Sequence, residues 1–238
     1  MTAPLAGATA VVTGASRGIG AAIARALAAA GARVALLARD RDRLDAVARD
    51  LADAVPIACD LANATGSDRA LQMVRATIGV PHIVANNAGA FALGTIGVLT
   101  LEEVERMLDV NLFAPYRVLH GLLPAMRSAG RGHVVTVGSV SDRVAFPENA
   151  AYAATKFGVR AIHEVLLAEI RGSGLRATLV SPSAVDTGLW DSVAPETHSG
   201  FPCRDFMLRV DDVADAVLWA VTRPAHVNVD EIRVGSAR

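Results

Sequence analysis

The sequence predicts one doubly wound α/β domain, a parallel sheet of about seven strands with helices on both faces. Three observations carry that prediction. Apolar runs of strand length alternate with segments of helical spacing along the whole chain. The runs are apolar almost throughout, as strands covered on both faces are. No repeat, low-complexity tract or linker divides residues 1–238, and that length can bury a core without staples.

The expected strands are Thr9–Thr13, Arg33–Ala38, Val55–Cys59, His82–Asn86, His133–Val137, Arg176–Val180 and Glu231–Val234. Ile19, Ile23 and Leu27 recur every fourth residue after the first strand, and Val213, Val217 and Val221 do so before the last. Thr100 with Glu103 fits a capping box, and Asp211 is placed to cap the helix that carries the valines. Asp186–Phe206 is rich in Pro, Gly, Ser and Asp and has no period. A stretch of that length inside a compact domain is usually functional, so a substrate lid is expected at 186–206.

Composition excludes other classes. With 23 Lys+Arg against 24 Asp+Glu, the chain lacks the cationic excess that a nucleic-acid surface needs. Two cysteines, Cys59 and Cys203, make no disulfide framework, and a reducing, cytoplasmic setting is expected. The longest charge-free stretch, Ala76–Leu101, is broken by Pro81, His82, Asn86, Asn87 and glycines, so a membrane span is not expected. The first charged side chain is Arg17, so no basic region precedes an apolar segment and a signal peptide is not expected. No metal site is expected either.

The first strand leads into Thr13-Gly14-Ala15-Ser16-Arg17-Gly18-Ile19-Gly20 and then directly into a helix. Glycines let backbone approach a pyrophosphate, and the helix start offers free N–H groups and partial positive charge. Plain turn chemistry is the competing reading, weakened by the position after the first strand of an alternating chain. The second strand ends Leu36-Leu37-Ala38-Arg39-Asp40, with a small residue and an arginine where a carboxylate would accept from a ribose hydroxyl. Arg39 with Arg17 points to the 2′-phosphate of NADP(H); a merely solvated Arg39 is the alternative.

Val137-Gly138-Ser139 ends the fifth expected strand, and Tyr152-Ala153-Ala154-Thr155-Lys156 follows. Tyr and Lys four apart share a helix face, where an ammonium can lower a phenol's pKa toward the working range. Alone, the pair would read as an ordinary helix face, and Ser139 as a strand-end cap.

In one order, Gly14/Gly18/Gly20, Asn86-Asn87-Ala88-Gly89, Asn111, Ser139 and Tyr152/Lys156 resemble the short-chain dehydrogenase/reductase family, from about Gly7 to Val234. The resemblance implies a Rossmann-like fold and NADP(H)-dependent interconversion of a carbonyl and an alcohol. It implies Tyr152 as general acid–base, Lys156 as its pKa-lowering partner and ribose ligand, and Ser139 as substrate-oxygen anchor. It makes Asn111 the residue that holds a relay water behind the lysine. Cofactor contacts are implied for Gly14, Ser16, Arg17, Gly18, Ile19, Gly20 and Arg39 and, at the adenosine end, for Asp60, Leu61, Asn87, Ala88 and Gly89. They are implied also for Tyr152, Lys156, Pro182, Val185 and Thr187, while Asn86 supports the central strand. Helix capping is the other reading of Asn111 and Asp60.

Ser183 departs from the family's usual glycine and would be strained if the backbone there needs positive φ. Leu189, Trp190, Phe201, Phe206, Met207, Val144, Ala145 and Phe146 suggest a partly apolar pocket or lid-to-core packing. Arg143 is placed to reach a substrate carboxylate or to serve a surface contact. The end, Arg223–Val229, resembles the subgroup of NADP-dependent 3-hydroxy acid (serine-type) dehydrogenases. A 3-oxoacyl-thioester reductase is the alternative enzyme, and a non-catalytic NADP sensor or scaffold the alternative class, which the presence of Tyr152 and Lys156 disfavours. Leu119, Leu122, Leu123, Ile162, Leu166 and Ile170 supply apolar positions beyond one sheet contact, and the family pairs such helices between subunits. A homotetramer is therefore expected, with a dimer second.

Overall fold

The computed structural model describes residues 3–191, 193, 195 and 201–237. Strands β1 (Thr9–Thr13), β2 (Arg33–Ala38), β3 (Ala54–Ala58), β4 (Ile83–Asn86), β5 (Gly132–Val137), β6 (Leu175–Pro182) and β7 (Glu231–Val234) form one sheet. Every pairing is parallel, in the order β3-β2-β1-β4-β5-β6-β7. The order reverses between β1 and β4, and the crevice beyond the strand ends at such a switch point is where doubly wound sheets bind ligands.

The helices are α1 (Gly18–Ala29), α2 (Arg41–Arg49), α3 (Ala64–Ile78), α4 (Leu101–Leu108), α5 (Ala114–Ser128), α6 (Ala150–Glu169) and α7 (Val210–Val221). Alternation along each strand separates two cores. Ala10, Val12, Val34 and Leu36 face α1, α2 and α7, whereas Val11, Ala35 and Leu37 face α3, α5 and α6. Four expected strands shift by one or two residues at an end. The Thr100–Glu103 capping box forms as expected. Asp211 does not cap α7: it lies in the first turn, and Asp212 Oδ2 accepts from Arg209 N–H at 2.8 Å.

The assembly leucines also move. Leu119, Leu122, Leu166 and Ile170 are buried in the second core, with Leu123 and Ile162 packed against it. What α5, α6 and the turn before α5 expose instead is Phe113, Tyr116, Phe157 and Val165.

His133 on β5 is 1 % exposed, and burial, aided by Arg176, pushes its pKa down to about 3. His163 on α6 is lowered by burial as well. Both are neutral when folded but protonate in the unfolded chain near pH ~6.5. Stability is therefore whole above that pH and falls as pH drops toward the folded values. For His133 the slope is about 1.4 kcal/mol per pH unit, or about 2 kcal/mol by pH ~5. Urea melts at neutral and acidic pH should show His133→Gln losing less stability than the parent; equal losses would contradict this.

Candidate active site

A cleft of about 970 Å³ opens along the carboxyl ends of the strands. At its floor, Gly14 (φ 67°) and Gly18 (φ 55°) turn the chain from β1 into α1. A Cβ on Gly20 would stand 2.2 Å from Gly14 O and 2.5 Å from Asn87 Nδ2, so no side chain fits there. Arg17 precedes α1 with no side-chain cap, and the first turn holds no acid, which leaves its N–H groups and positive dipole end to an anion. Ser16, Arg17, Gly18 and Ile19 line the cleft; Gly20 lies beneath it. Thr13 ties the next strand end in place, its hydroxyl accepting from Asn87 N–H at 2.9 Å and Ala88 N–H at 3.0 Å. The Asn87 side chain serves the same purpose, donating to Thr13 O at 2.9 Å. Asn86 is buried at the end of β4.

At one end of the cleft stand Arg39, Asp60 and Leu61. Both oxygens of Asp40 are engaged, one capping α2 through Arg43 N–H at 3.0 Å and one pairing with Arg43 Nε at 3.1 Å. Arg17 and Arg39 are exposed and have no ion pair among the described residues. Arg39 gives this end a cation that fits a phosphate rather than a ribose hydroxyl, while the Arg17 guanidinium lies toward the Thr187–Asp191 segment, 3.5 Å from where a Cβ on Gly188 would stand. Asp60 does not cap α3, which Asn63 does; its Oδ1 accepts from Ala62 N–H at 3.0 Å. Burial pushes the nearby Cys59 thiol up to about 11, so it is no reactive thiolate.

At the other end Ser139, Tyr152 and Lys156 converge. Ser139 follows β5, and its Oγ accepts from Ser141 N–H at 3.1 Å, which leaves its own proton to donate. Tyr152 and Lys156 are one turn apart on α6. The expected lowering of the phenol's pKa by Lys156 is not what the structure shows. Burial dominates and pushes Tyr152 up to about 12, with Ser139 pulling the other way as a hydrogen-bond partner. Lys156 Nζ stands 5.6 Å from the ring centroid, donates to Val137 O at 3.0 Å, and is drawn down to about 8 by its own burial. At neutral pH the phenol holds its proton and the amine its charge.

Asn111 lies behind the cleft, 2 % exposed, in a π-helical turn, Asp109–Phe113, between α4 and α5. Such a turn re-aims one side chain inward. Asn111 accepts from Ala90 N–H at 2.7 Å and donates to Ala90 O at 2.9 Å and Thr155 Oγ at 3.1 Å. It therefore fixes α6 and the segment after Gly89. A cavity of about 10 Å³ among Asn86, Asn111 and Lys156 is near the lower bound for one water.

Two expectations are corrected here. Ser183 is not strained, because Glu148 is the one described non-glycine residue with positive φ; Ser183 N–H donates to Val234 O at 2.8 Å. Arg143 does not face a substrate carboxylate, since Asp142 at 2.8 Å and Glu231 at 2.5 Å take up its charge.

Val185 pairs with Leu208, and its carbonyl accepts from Trp190 Nε1 at 3.1 Å. Thr187 faces the glycine turn from across the cleft. Arg204 pairs with the segment, at 2.6 Å from Asp186 and 2.8 Å from Asp191. Residues 192, 194 and 196–200 of the expected lid lie outside the described residues. The sequence reading missed Phe91, whose ring meets Tyr152 edge-on at 4.9 Å and Trp190 at 5.2 Å, with Phe201 5.6 Å beyond Trp190. Its place two residues after Gly89 was the available signal. It also missed Asn149, buried and bonded to Ser141 Oγ at 3.0 Å. Among the described residues no group of three His, Cys, Asp or Glu is placed to hold a metal ion, and no helix is long and apolar enough to cross a membrane.

A family model described as short chain dehydrogenase matches residues 8–198. An uncharacterized oxidoreductase of Staphylococcus aureus (strain N315) is 35% identical over 227 residues, covering 94% of this chain and 95% of that one. A metagenomic short-chain oxidoreductase solved in complex with NADP superimposes with TM-score 0.85 at 33% identity, covering 99% of each chain. An alcohol dehydrogenase from the archaeon Thermococcus sibiricus, solved with 5-hydroxy-NADP, gives 0.88 at 31% identity, covering 97% of each.

Proposed function

The chain belongs to the short-chain dehydrogenase family, and we propose that this oxidoreductase interconverts a ketone, aldehyde or 3-oxo acid and its alcohol with NADP(H). One observation carries the reading. Ser139, Tyr152 and Lys156 line the same cleft as the glycine turn and the exposed guanidiniums of Arg17 and Arg39. The NADP complexes of the two similar structures support the cofactor choice.

When bound, NADP(H) supplies or accepts the hydride. The turn Gly14–Gly20 and the start of α1 would hold its pyrophosphate, Arg17 and Arg39 its 2′-phosphate, and Asp60 and Leu61 its adenine. Asn87–Gly89 would border the adenosine ribose, Lys156 the nicotinamide ribose, and Pro182, Val185 and Thr187 the carboxamide. In reduction Ser139 donates a hydrogen bond to the carbonyl oxygen, and Tyr152 gives that oxygen its proton as negative charge develops. The phenol starts in the protonated form this step needs. Lys156 places a positive charge beside the phenolate left behind, and Asn111 with a water in the small cavity would return the proton through Lys156. Phe91 and Trp190 give the substrate end an apolar wall.

The test is NADPH consumption against ketones, aldehydes, 3-oxo acids and a 3-oxoacyl thioester, with the matching alcohols and NADP⁺ in reverse. Turnover of a member of the first three classes is expected. Thioester turnover alone would favour the acyl-thioester reductase, and silence throughout beside tight NADPH binding would favour a sensor.

The described ends of 186–206 support a lid. Leu189, Trp190 and Phe201 line the cleft, and the segment leans on the exposed Arg204 pairs, which contribute little rigidity. Hydrogen exchange in residues 187–191 should slow when NADPH and a competing carbonyl ligand saturate the enzyme; unchanged protection would contradict closure.

Two separate apolar surfaces support a homotetramer, a dimer being second. One is Phe113, Tyr116, Phe157 and Val165; the other is Trp219, half-exposed on α7 over the opposite sheet face, with Arg223 4.7 Å above its ring. A closed dimer of dimers needs two distinct self-complementary patches. Light scattering at micromolar concentration should report four chains; monomer mass alone would refute assembly.

A further inference from the structure

A buried charge cluster stands directly behind Ser139, and the mechanism above does not use it. Asp142 ends the 3-10 turn Val140–Asp142 and is 0% exposed. Its Oδ2 accepts from Ser139 N–H at 3.3 Å and from the Ser181 hydroxyl. Its Oδ1 accepts from Arg143 Nε at 2.8 Å and lies 3.7 Å from Arg160 Nη1. Arg143 and Arg160 both reach Glu231 on β7, at 2.5 and 3.3 Å, and Arg160 pairs with Glu164 at 2.8 Å. A Cβ on Gly138 would stand 2.5 Å from Asp142 Oδ2 and 2.8 Å from Ser181 Oγ, so the chain leaves that space for the pair.

The cluster joins each element that shapes the reaction centre: the turn bearing Ser139, α6 with Tyr152 and Lys156, and the end of β6 that leads to Pro182 and Val185. Buried ion pairs are roughly neutral for stability against an apolar replacement. Stability alone is therefore a poor account of a carboxylate with no solvent exposure at this place. We propose that Asp142 is a positioning residue for the reaction: it fixes the Ser139 backbone and, through its buried charge, adds to the preference of Tyr152 for its protonated form. The proposal rests on Tyr152 as acid–base.

The groups facing Asp142 decide the sign. Arg143 and Arg160 are cationic, Glu231 from β7 is anionic, β6 contributes the neutral Ser181, and α6 adds Lys156 and Tyr152. Three carboxylates, Asp142, Glu231 and Glu164, balance three cations, Arg143, Arg160 and Lys156, so neutralising Asp142 leaves a net positive charge beside the phenol. The structure gives the charge the corresponding direction, Asp142 favouring the protonated forms of both Tyr152 and Lys156.

The chain has 2 tyrosines, and Tyr116 is exposed, so Tyr116→Phe leaves Tyr152 as the one phenol. Its ultraviolet titration reads the proton without turnover. In that background Asp142→Asn should lower the midpoint by about one pH unit, and Asp142→Glu should restore it. The basic limb of carbonyl reduction should move the same way. Arg160→Gln, which removes a cation and keeps Asp142, should move that limb upward, and it decides the matter if Asp142→Asn does not fold. A midpoint and limb unmoved by Asp142→Asn, or a limb unmoved by Arg160→Gln, overturns the proposal even if kcat falls. Turnover that survives Tyr152→Phe overturns the acid–base assignment instead, and the titration tells the two failures apart.

Discussion

Tyr152→Phe is expected to slow carbonyl reduction about a thousandfold, the middle of the range for a positioned general acid, while NADPH affinity stays within a factor of about two. Only the phenolic O–H is removed. The ring keeps its edge contact with Phe91, and Lys156 keeps its bond to Val137 O. The loss corresponds to about 4 kcal/mol of transition-state stabilisation. It should appear in kcat and kcat/KM together, because the proton is needed as charge develops and not when the carbonyl binds. Initial rates and a fluorescence titration of NADPH check both halves. A variant that turns over like the parent would show that another group delivers the proton.

Arg39→Ala is expected to weaken NADPH about tenfold to a hundredfold, as loss of a charge-assisted contact implies, and to leave NADH nearly unchanged. The asymmetry follows from what remains. Asp40 is held by Arg43 through both oxygens, so no carboxylate is ready to accept from a ribose hydroxyl. Ala38→Asp combined with Arg39→Ala places one at the end of β2 and should reverse the preference. Equal losses for both cofactors with Arg39→Ala would mean that this guanidinium reads something other than the 2′-phosphate.

Much of the fold was legible because local pattern and tertiary role agree. Strands buried on both faces must be apolar throughout, and the glycine turn is marked by its position between the first strand and the helix that follows. The proposed catalytic side chains were legible only jointly: Tyr152 with Lys156 alone reads as an ordinary helix face and Ser139 as a strand-end cap, and the resemblance of the whole ordered set assigned their roles. What escaped depends on partners far along the chain. Arg143 looked like a free cation until Glu231, on the last strand, came to rest against it. Asn111 shows its role only when the π-helical turn brings it to Ala90 and Thr155. Leu119 and Leu122 could not be told from interface residues, since a helix face reads alike whether a sheet or another subunit covers it. The direction of Tyr152's pKa was hidden too, because depth of burial outweighs the neighbouring ammonium.

The central claim is that this cleft brings a carbonyl carbon to the nicotinamide of NADPH while Tyr152 protonates its oxygen. The most direct measurement uses NADPH deuterated on either face of the nicotinamide C4 and mass spectrometry of the alcohol from a turned-over carbonyl. One of the two labelled cofactors should place a single deuterium on the carbinol carbon, and Tyr152→Phe should all but abolish the labelled product. Alcohol formed without deuterium from either cofactor, or labelled at the parent's rate by the variant, would contradict the account.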